Sequence, residues 1–350
     1  MYTEEEARKL VIEAGIEMLG KGLIARTWGN ISARISDTQF VVTPSGLAYD
    51  TLNPEDLVIV NIADQEPVGP GKPSSEKGVH AAIYSLRPEV NAVIHTHQDY
   101  ATVMSALSQD LSLRYRTEEE RKLLGNLVPL AAYGLSSTKK LTEAVKKEFQ
   151  ENPGSCAVLM RNHGAVIAGK DFDEAFKAAE ALEVVSRNRY KEMLGKLWPE
   201  EADKKFDPAS GVLREDMTDK LSVVSDGKDG TVLRSEAPFT LRYSAYGKKL
   251  IPYVDDLAMA CGYDIPCVKP ERFNMGSLKE GCAILVKGEG AYVRAVNREE
   301  AETLCILLEK GSRMGLLRMA GLRPEPVTRI HALIEHAIYV KKYSKLKSSK

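Results

Sequence analysis

The chain has 350 residues, enough for two compact domains with sizeable cores. Hydrophobic residues make up 43% of it and charged residues 28%, the balance of an ordinary globular protein. A formal net charge of −1 excludes an electrostatic case for nucleic acid as the main partner, and the lysines from Lys341 to Lys350 read as a local, solvated tail.

Five cysteines, Cys156, Cys261, Cys267, Cys282 and Cys305, make an odd number with no zinc-knuckle spacing. Cys156, Cys282 and Cys305 lie in apolar runs, which suits small buried thiols. The acidic start, MYTEEEARKL, lacks the apolar centre of a signal peptide. No apolar run reaches the ~18 residues of a membrane span. The expectation is a cytoplasmic chain with no membrane partner.

The predicted elements begin with a helix. Thr3 followed by Glu6 makes a capping box, and Leu10, Val11, Ala14, Met18 and Leu19 form one apolar stripe that ends at Gly22. Short β-type runs follow at 30–34, 40–42 and 57–60, separated by glycine- and proline-rich turns. A helix over 76–87 leads into the short buried strand Ala92-Val93-Ile94, and another helix runs from Tyr100 to Leu107. Ser155 to Met160 reads as a central strand. After a turn at 161–164 comes Ala165-Val166-Ile167-Ala168, and then Asp171 caps a long helix. Its stripe is Phe172, Ala175, Phe176, Ala179, Leu182 and Val185. Residues 199–230, with their Pro-Glu-Glu, Asp-Pro and Asp-Gly-Lys-Asp-Gly stretches, have linker composition and divide the chain into 1–198 and 231–350.

Beyond the linker the first part recurs faintly, an internal repeat of long period. Gly281 to Gly290 lies over Ser155 to Gly164, and Glu299-Glu300-Ala301 over Asp173-Glu174-Ala175. Lys249 to Asp256 lies over Ala92 to Asp99, and Arg234-Ser235-Glu236 is similar to Ser74-Ser75-Glu76. In this alignment Pro252, Val254 and Glu289 replace His95, His97 and His163. The expectation is a degenerate second copy that lacks the ligands.

The chain has six histidines, and His95, His97 and His163 sit in turns just after buried β-type runs. His95-Thr96-His97 puts two imidazoles on one side of an extended segment, because side chains alternate with period two. A third from Asn162-His163-Gly164 completes a three-histidine face, and a fourth position stays open, as catalytic zinc sites require. Pro73-Ser74-Ser75-Glu76 precedes a helix, where hydroxyls and backbone N–H groups attract anions such as phosphate. Glu76 then stands beside that anion site, suited to carry a proton. Gly29-Asn30 and Thr43-Pro44-Ser45-Gly46 are further small-polar turns able to wrap phosphate oxygens.

In that order these segments resemble the class II aldolase/adducin family, whose best-known enzymatic type is L-fuculose-phosphate aldolase. The resemblance covers roughly residues 3–195. It implies an α-β-α layered fold with a central, mainly antiparallel sheet flanked by helices, here in two tandem lobes. It implies zinc, or another divalent ion such as Co2+, Mn2+ or Fe2+, on His95, His97 and His163, with Glu76 as acid/base and as a ligand when no substrate is bound. Asn30, Ser45, Gly46, Ser74 and Ser75 would cradle the substrate phosphate. Family aldolases also use a tyrosine from a neighbouring subunit, for which Tyr115 is the first candidate and Tyr133 the second.

The expected function is therefore a metal-dependent aldehyde-lyase that cleaves a phosphorylated ketose to dihydroxyacetone phosphate and a small aldehyde. The alternatives are a ribulose-phosphate epimerase or dehydratase of the same family, or a non-catalytic adducin-like interaction protein. The resemblance implies rings of four subunits, so a chain with two lobes is expected to form a homodimer that makes a four-lobed pseudo-tetramer.

Overall fold

The computed structural model describes residues 1–25, 28–114, 116–204, 206–228, 230–279 and 281–347. The chain divides into two compact units, residues 1–189 with 208–214 and residues 190–207 with 215–350.

The first unit contains, in order, α1 (Glu4–Gly20), β1 (Asn30–Arg34), β2 (Gln39–Val42), β3 (Val58–Asn61), β4 (Pro67–Val68), α2 (Lys77–Leu86), β5 (Ala92–Thr96) and α3 (Asp99–Ser105). Then come β6 (Leu111–Ser112), α4 (Glu118–Leu124), β7 (Leu127–Val128), β8 (Leu130–Ala131), α5 (Lys139–Glu151), β9 (Ala157–Met160), β10 (Gly164–Gly169) and α6 (Phe172–Leu194). Thr3 and Glu6 form the expected capping box of α1, and Asp171 accepts from the Glu174 N–H at the start of α6. The sequence also held signals for two further helices. Thr117 and Glu120 make a capping box on α4, and Leu141, Val145 and Phe149 make the buried stripe of α5.

Eight strands form one sheet in the order β4-β3-β2-β1-β5-β10-β9-β8. Every joint is antiparallel except β8 with β9. Val79, Ile83, Val145 and Phe149 of α2 and α5 pack with Phe40, Val42, Val93, Val158 and Val166 on one face. The alternate residues Ile31, Val41, Ile94, Leu159 and Ile167 are buried too, so helices cover both faces. Helix α1 packs on β1 and β2, and α3 on β9 and β10.

The second unit begins within α6. It continues with α7 (Glu201–Lys204), β11 (Leu221–Gly227), β12 (Gly230–Ser235), α8 (Pro238–Ser244), α9 (Asp255–Cys261) and β13 (Cys267–Val268). It ends with β14 (Cys282–Val286), β15 (Gly290–Ala295), α10 (Arg298–Met319) and α11 (Arg329–Lys347). The stretch of linker composition thus carries α7 and β11, and β11 is an edge strand of the second sheet.

That sheet has the order β11-β12-β15-β14-β13. It matches β1-β5-β10-β9-β8 joint for joint, again with one parallel pair at the end, β13 with β14. The helices correspond as well. The buried Glu183 of α6 accepts from the N–H groups of Tyr100 and Ala101 at 2.7 and 2.9 Å. The buried Glu309 of α10 accepts from Phe239 and Thr240 at 2.8 and 2.7 Å. One turn further on, Arg187 lies over the Tyr100 ring and Arg313 over the Phe239 ring.

These anchors correct the alignment read from sequence. β12, not residues 249–256, is the counterpart of β5, so Arg234 and Glu236 stand at the positions of His95 and His97, with Glu289 at that of His163. The Arg234 guanidinium pairs with Glu236 at 3.0 Å and reaches the Glu289 carbonyl at 3.5 Å. The apolar run at Leu250 misled the alignment, because it makes only an isolated bridge with Ile265.

The second unit also buries two ion pairs, Arg313 with Glu215 at 2.7 Å and Lys310 with Asp256 at 3.1 Å. Helix α11 is inverted in polarity: Ala332 and Glu335 are buried, while Ile330, Leu333, Ile334 and Ile338 are exposed by 40–71%. Among the described residues, no helix is long and apolar enough to cross a membrane.

The Glu183 cap generates a prediction. Glu183→Ala removes two hydrogen bonds to a buried carboxyl group, worth about 1.5 kcal/mol each. Protection of the Tyr100 and Ala101 amides from hydrogen exchange should fall by about 10²-fold. Protection unchanged within threefold would show that the carboxylate does not hold the start of α3.

Candidate metal centre

Strand β5 lies between β1 and β10, and its end delivers two histidines to one face. His95 pairs across to Asn30 of β1 and to Val166 of β10, and His97 follows two residues on, on the same side by alternation. His163 arrives from the β9–β10 turn, which closes through Asn162 in the left-handed region at φ 60°. Gly164 lets the chain approach β5, since a Cβ there would stand 2.3 Å from the Thr96 carbonyl oxygen. Gly29, at φ 118°, allows the entry into β1, where a Cβ would lie 2.7 Å from the His95 carbonyl oxygen.

The three imidazoles converge. His95 Nε2 lies 3.1 Å from His163 Nε2 and 3.0 Å from His97 Nε2. All three rings are buried, and they are the one group of His, Cys, Asp or Glu side chains among the described residues with the spacing of a metal site. Zinc with bonds of ~2.05 Å in a tetrahedral shell sets its ligands roughly 3.3 Å apart, so the nitrogen spacing fits a shared divalent ion. The His95 Nδ1–H donates to the Ala165 carbonyl at 2.8 Å. This fixes the tautomer and leaves a lone pair on Nε2, the arrangement metal-bound histidines use. Burial pushes the His95 ring well below its usual pKa.

Glu76, just before α2, faces this cluster. Its Oε2 lies 3.3 Å from His95 Nε2 and its Oε1 3.2 Å from His163 Nε2. Asn30 Nδ2 donates to Oε2 at 2.8 Å and Ser136 Oγ–H to Oε1 at 3.1 Å. Burial alone would raise this carboxyl, but the His95 and His163 rings and the Asn30 amide outweigh it and hold the group well below the usual carboxylate range.

The small-polar turns meet beside it. Ser74 N–H donates to the Thr43 carbonyl and Ser45 N–H to the Lys72 carbonyl, which ties Thr43-Pro44-Ser45-Gly46 to Pro73-Ser74-Ser75. Glu76 N–H donates to Ser74 Oγ at 3.3 Å. Ser75 is exposed and accepts from Ser137 Oγ–H at 2.7 Å. Asn30 lies beside these turns, since the Ile31 N–H donates to Thr43 Oγ1 at 3.2 Å, and its own amide is bound to Glu76. The sequence reading missed Ser136 and Ser137. Their signal was a further small-polar turn, Gly134 to Ser137, ahead of a helix capped by Thr138. Tyr115 lies outside the described residues. Tyr133 follows β8, the parallel partner of β9.

Behind Glu76 two ladders run side by side. Asn30, Ser32 and Arg34 alternate along one face of β1, and Glu76, His80 and Tyr84 recur every fourth residue along α2. Two strand residues span roughly 6.6 Å and four helix residues about 6.0 Å, so the rungs stay in step. Asn30 Oδ1 meets His80 Nε2 at 2.5 Å, and Ser32 Oγ meets His80 Nδ1 at 2.6 Å and Tyr84 Oη at 2.8 Å. Arg34 donates to the Tyr84 carbonyl.

Comparison with known proteins agrees with this geometry. The pattern of the family described as Class II Aldolase and Adducin N-terminal domain matches residues 9–190. The 5-deoxy-D-ribulose 1-phosphate aldolase of Bacillus thuringiensis serovar kurstaki is 33% identical over 188 residues, 53% of this chain and 85% of that one. The methylthioribulose-1-phosphate dehydratase of Klebsiella pneumoniae subsp. pneumoniae is 34% identical over 170 residues, 47% of this chain and 84% of that one. Among solved structures, an L-fuculose 1-phosphate aldolase superposes with a TM-score of 0.50 at 27% identity, covering 55% of this chain and 88% of its own. With three converging histidines, a carboxylate against them and a match over half its length, the chain belongs to the class II aldolase and adducin family.

Proposed function

We propose that the chain is a metal-dependent lyase that cleaves a phosphorylated ketose to dihydroxyacetone phosphate and a small aldehyde. The observation that carries this reading is Glu76, a buried carboxyl group within 3.3 Å of two of three converging histidines and next to paired serine turns. A divalent ion on His95, His97 and His163 would supply positive charge at the ketose oxygens, where negative charge develops as the C–C bond breaks. Three nitrogen donors and a carboxylate suit zinc, and cobalt, manganese and iron accept the same ligands.

In this reading Glu76 moves the proton at the carbon beside the carbonyl. Asn30 and Ser136 each donate to one of its oxygens and fix the plane of the carboxylate. Ser45, Gly46, Ser74 and Ser75, with Ser137, take the substrate phosphate and hold the sugar in register. The hydroxyl of the aldehyde fragment needs a second proton carrier, and Tyr115 and Tyr133 are the candidates.

The dehydratase relative supports a second reading on the same residues, in which water leaves in place of the aldehyde. A non-catalytic, adducin-like role accounts for neither the convergence of the histidines nor the ionised Glu76. We infer further that the second unit is a degenerate copy of the first and that the chain forms a homodimer. The outward apolar face of α11 supports a contact between copies.

The purified chain should hold one divalent metal and release dihydroxyacetone phosphate from L-fuculose 1-phosphate or 5-deoxyribulose 1-phosphate, but not from the free sugars. His163→Ala should lose both metal and turnover. Metal content and turnover that survive this change would overturn the assignment, and loss of water without dihydroxyacetone phosphate would favour the dehydratase reading. Glu76→Gln keeps the shape and should fold, with turnover lowered about 10²-fold or more. Near-normal turnover would give the proton to another group. Ile334→Asp places a charge in the α11 stripe and should convert the dimer to a monomer in sedimentation, whereas a parent chain that already sediments as a monomer would remove the dimer.

A further inference from the structure

We infer that His80 is a positioning residue of this site: it fixes the Asn30 amide in the orientation that presents N–H to Glu76. The effect on turnover rests on the reading of Glu76 as proton carrier, while the hydrogen-bond directions stand on the geometry alone.

The directions follow from the placement of the Asn30 amide. Its Nδ2 stands 2.8 Å from Glu76 Oε2 and donates to it. That turns Asn30 Oδ1, which also can only accept, toward His80 Nε2. The Nε2 atom must then carry a proton. His80 is fully buried, and burial pushes its ring down to about 4, so the neutral imidazole has one N–H. Its Nδ1 must therefore accept, and Ser32 Oγ–H, 2.6 Å away, donates. Ser32 has spent its proton, so Tyr84 O–H donates to Ser32 Oγ. Each of the four contacts has one donor and one acceptor, and the chain can run in only one direction.

The packing holds this chain still. Phe40 lies nearly parallel to the His80 ring at 6.4 Å, and the Arg34 guanidinium lies 4.7 Å from the Tyr84 ring centroid. An Asn side chain alone can turn over by half a rotation at little cost. Turned over, Asn30 would set its oxygen against the Glu76 carboxylate and its N–H2 against the His80 N–H. His80 therefore excludes the orientation that would repel the proton carrier. A histidine buried only for packing would have no need of a proton on Nε2 or of Asn30 beside it.

Two measurements on the full chain test this. In 15N-histidine NMR at neutral pH, His80, identified by its loss in His80→Gln, should show a protected Nε2–H. That signal should shift or vanish in Asn30→Ala. A proton on Nδ1, or a resonance that Asn30→Ala leaves unchanged, would overturn the inference. In steady-state cleavage of 5-deoxyribulose 1-phosphate or L-fuculose 1-phosphate, His80→Leu should lower kcat by about 10-fold to 100-fold, with KM within threefold and metal content unchanged. His80→Gln, whose amide can still donate to Asn30, should recover most of that loss. In the Asn30→Ala background His80→Leu should cost nothing more, and additive losses would overturn the inference. If neither sugar phosphate is cleaved, the functional reading has failed, and the NMR arm decides the role of His80 by itself. The same arm decides where His80→Leu does not fold.

Discussion

Glu76 keeps its negative charge while only 8% exposed, and the first unit is arranged around that charge. A lone buried carboxylate would take up a proton rather than pay the cost of desolvation. This one is met by Asn30 on one oxygen, Ser136 on the other, and the His95 and His163 rings beside them. These rings come from two places in the sequence, and they meet through the β5–β10 register. The sheet therefore supplies position, and the start of α2 supplies the charge that makes the position chemically useful.

The second unit keeps the same strand order, the same buried glutamate over the start of a short helix and the same arginine one turn later. At the three positions of the imidazoles it has Arg234, Glu236 and Glu289. The Arg234 guanidinium there pairs with Glu236, and both side chains are exposed enough to be hydrated. The framework and the chemistry are thus separable. Glu183 and Glu309 serve the fold, since each satisfies backbone N–H groups that would otherwise be left without acceptors, whereas the three histidines gather at the candidate site.

What could be read from sequence was local or periodic. His95-Thr96-His97, the Asn162-His163-Gly164 turn and the serine turns were legible because each declares itself within a few residues. So were α1, α6 and the central strands, whose apolar spacing is regular. Ser136 and Ser137 were missed because their importance lies in what they reach, Glu76 and Ser75, some sixty residues away. His80 and Ser32 were missed for a related reason, since the match of a two-residue step on β1 to a four-residue step on α2 appears only once the two elements are known to be neighbours. The upstream register expected for a repeat differs from the strand order, because an apolar run near Leu250 imitates β5 while the strand in the matching sheet position carries arginine and glutamate. The polarity of α11 escaped notice because its apolar stripe reads as a core-facing one. The burial of Ala332 and Glu335 shows which face looks inward.

The buried ion pairs of the second unit, Arg313 with Glu215 and Lys310 with Asp256, bear on temperature. Near room temperature the desolvation of such charges can exceed their attraction. Ion hydration carries a strongly negative entropy, so the desolvation penalty shrinks as the protein is warmed, while the gain from apolar burial levels off. Measured against an apolar replacement of equal volume, these pairs are least favourable in the cold and improve steadily with heat.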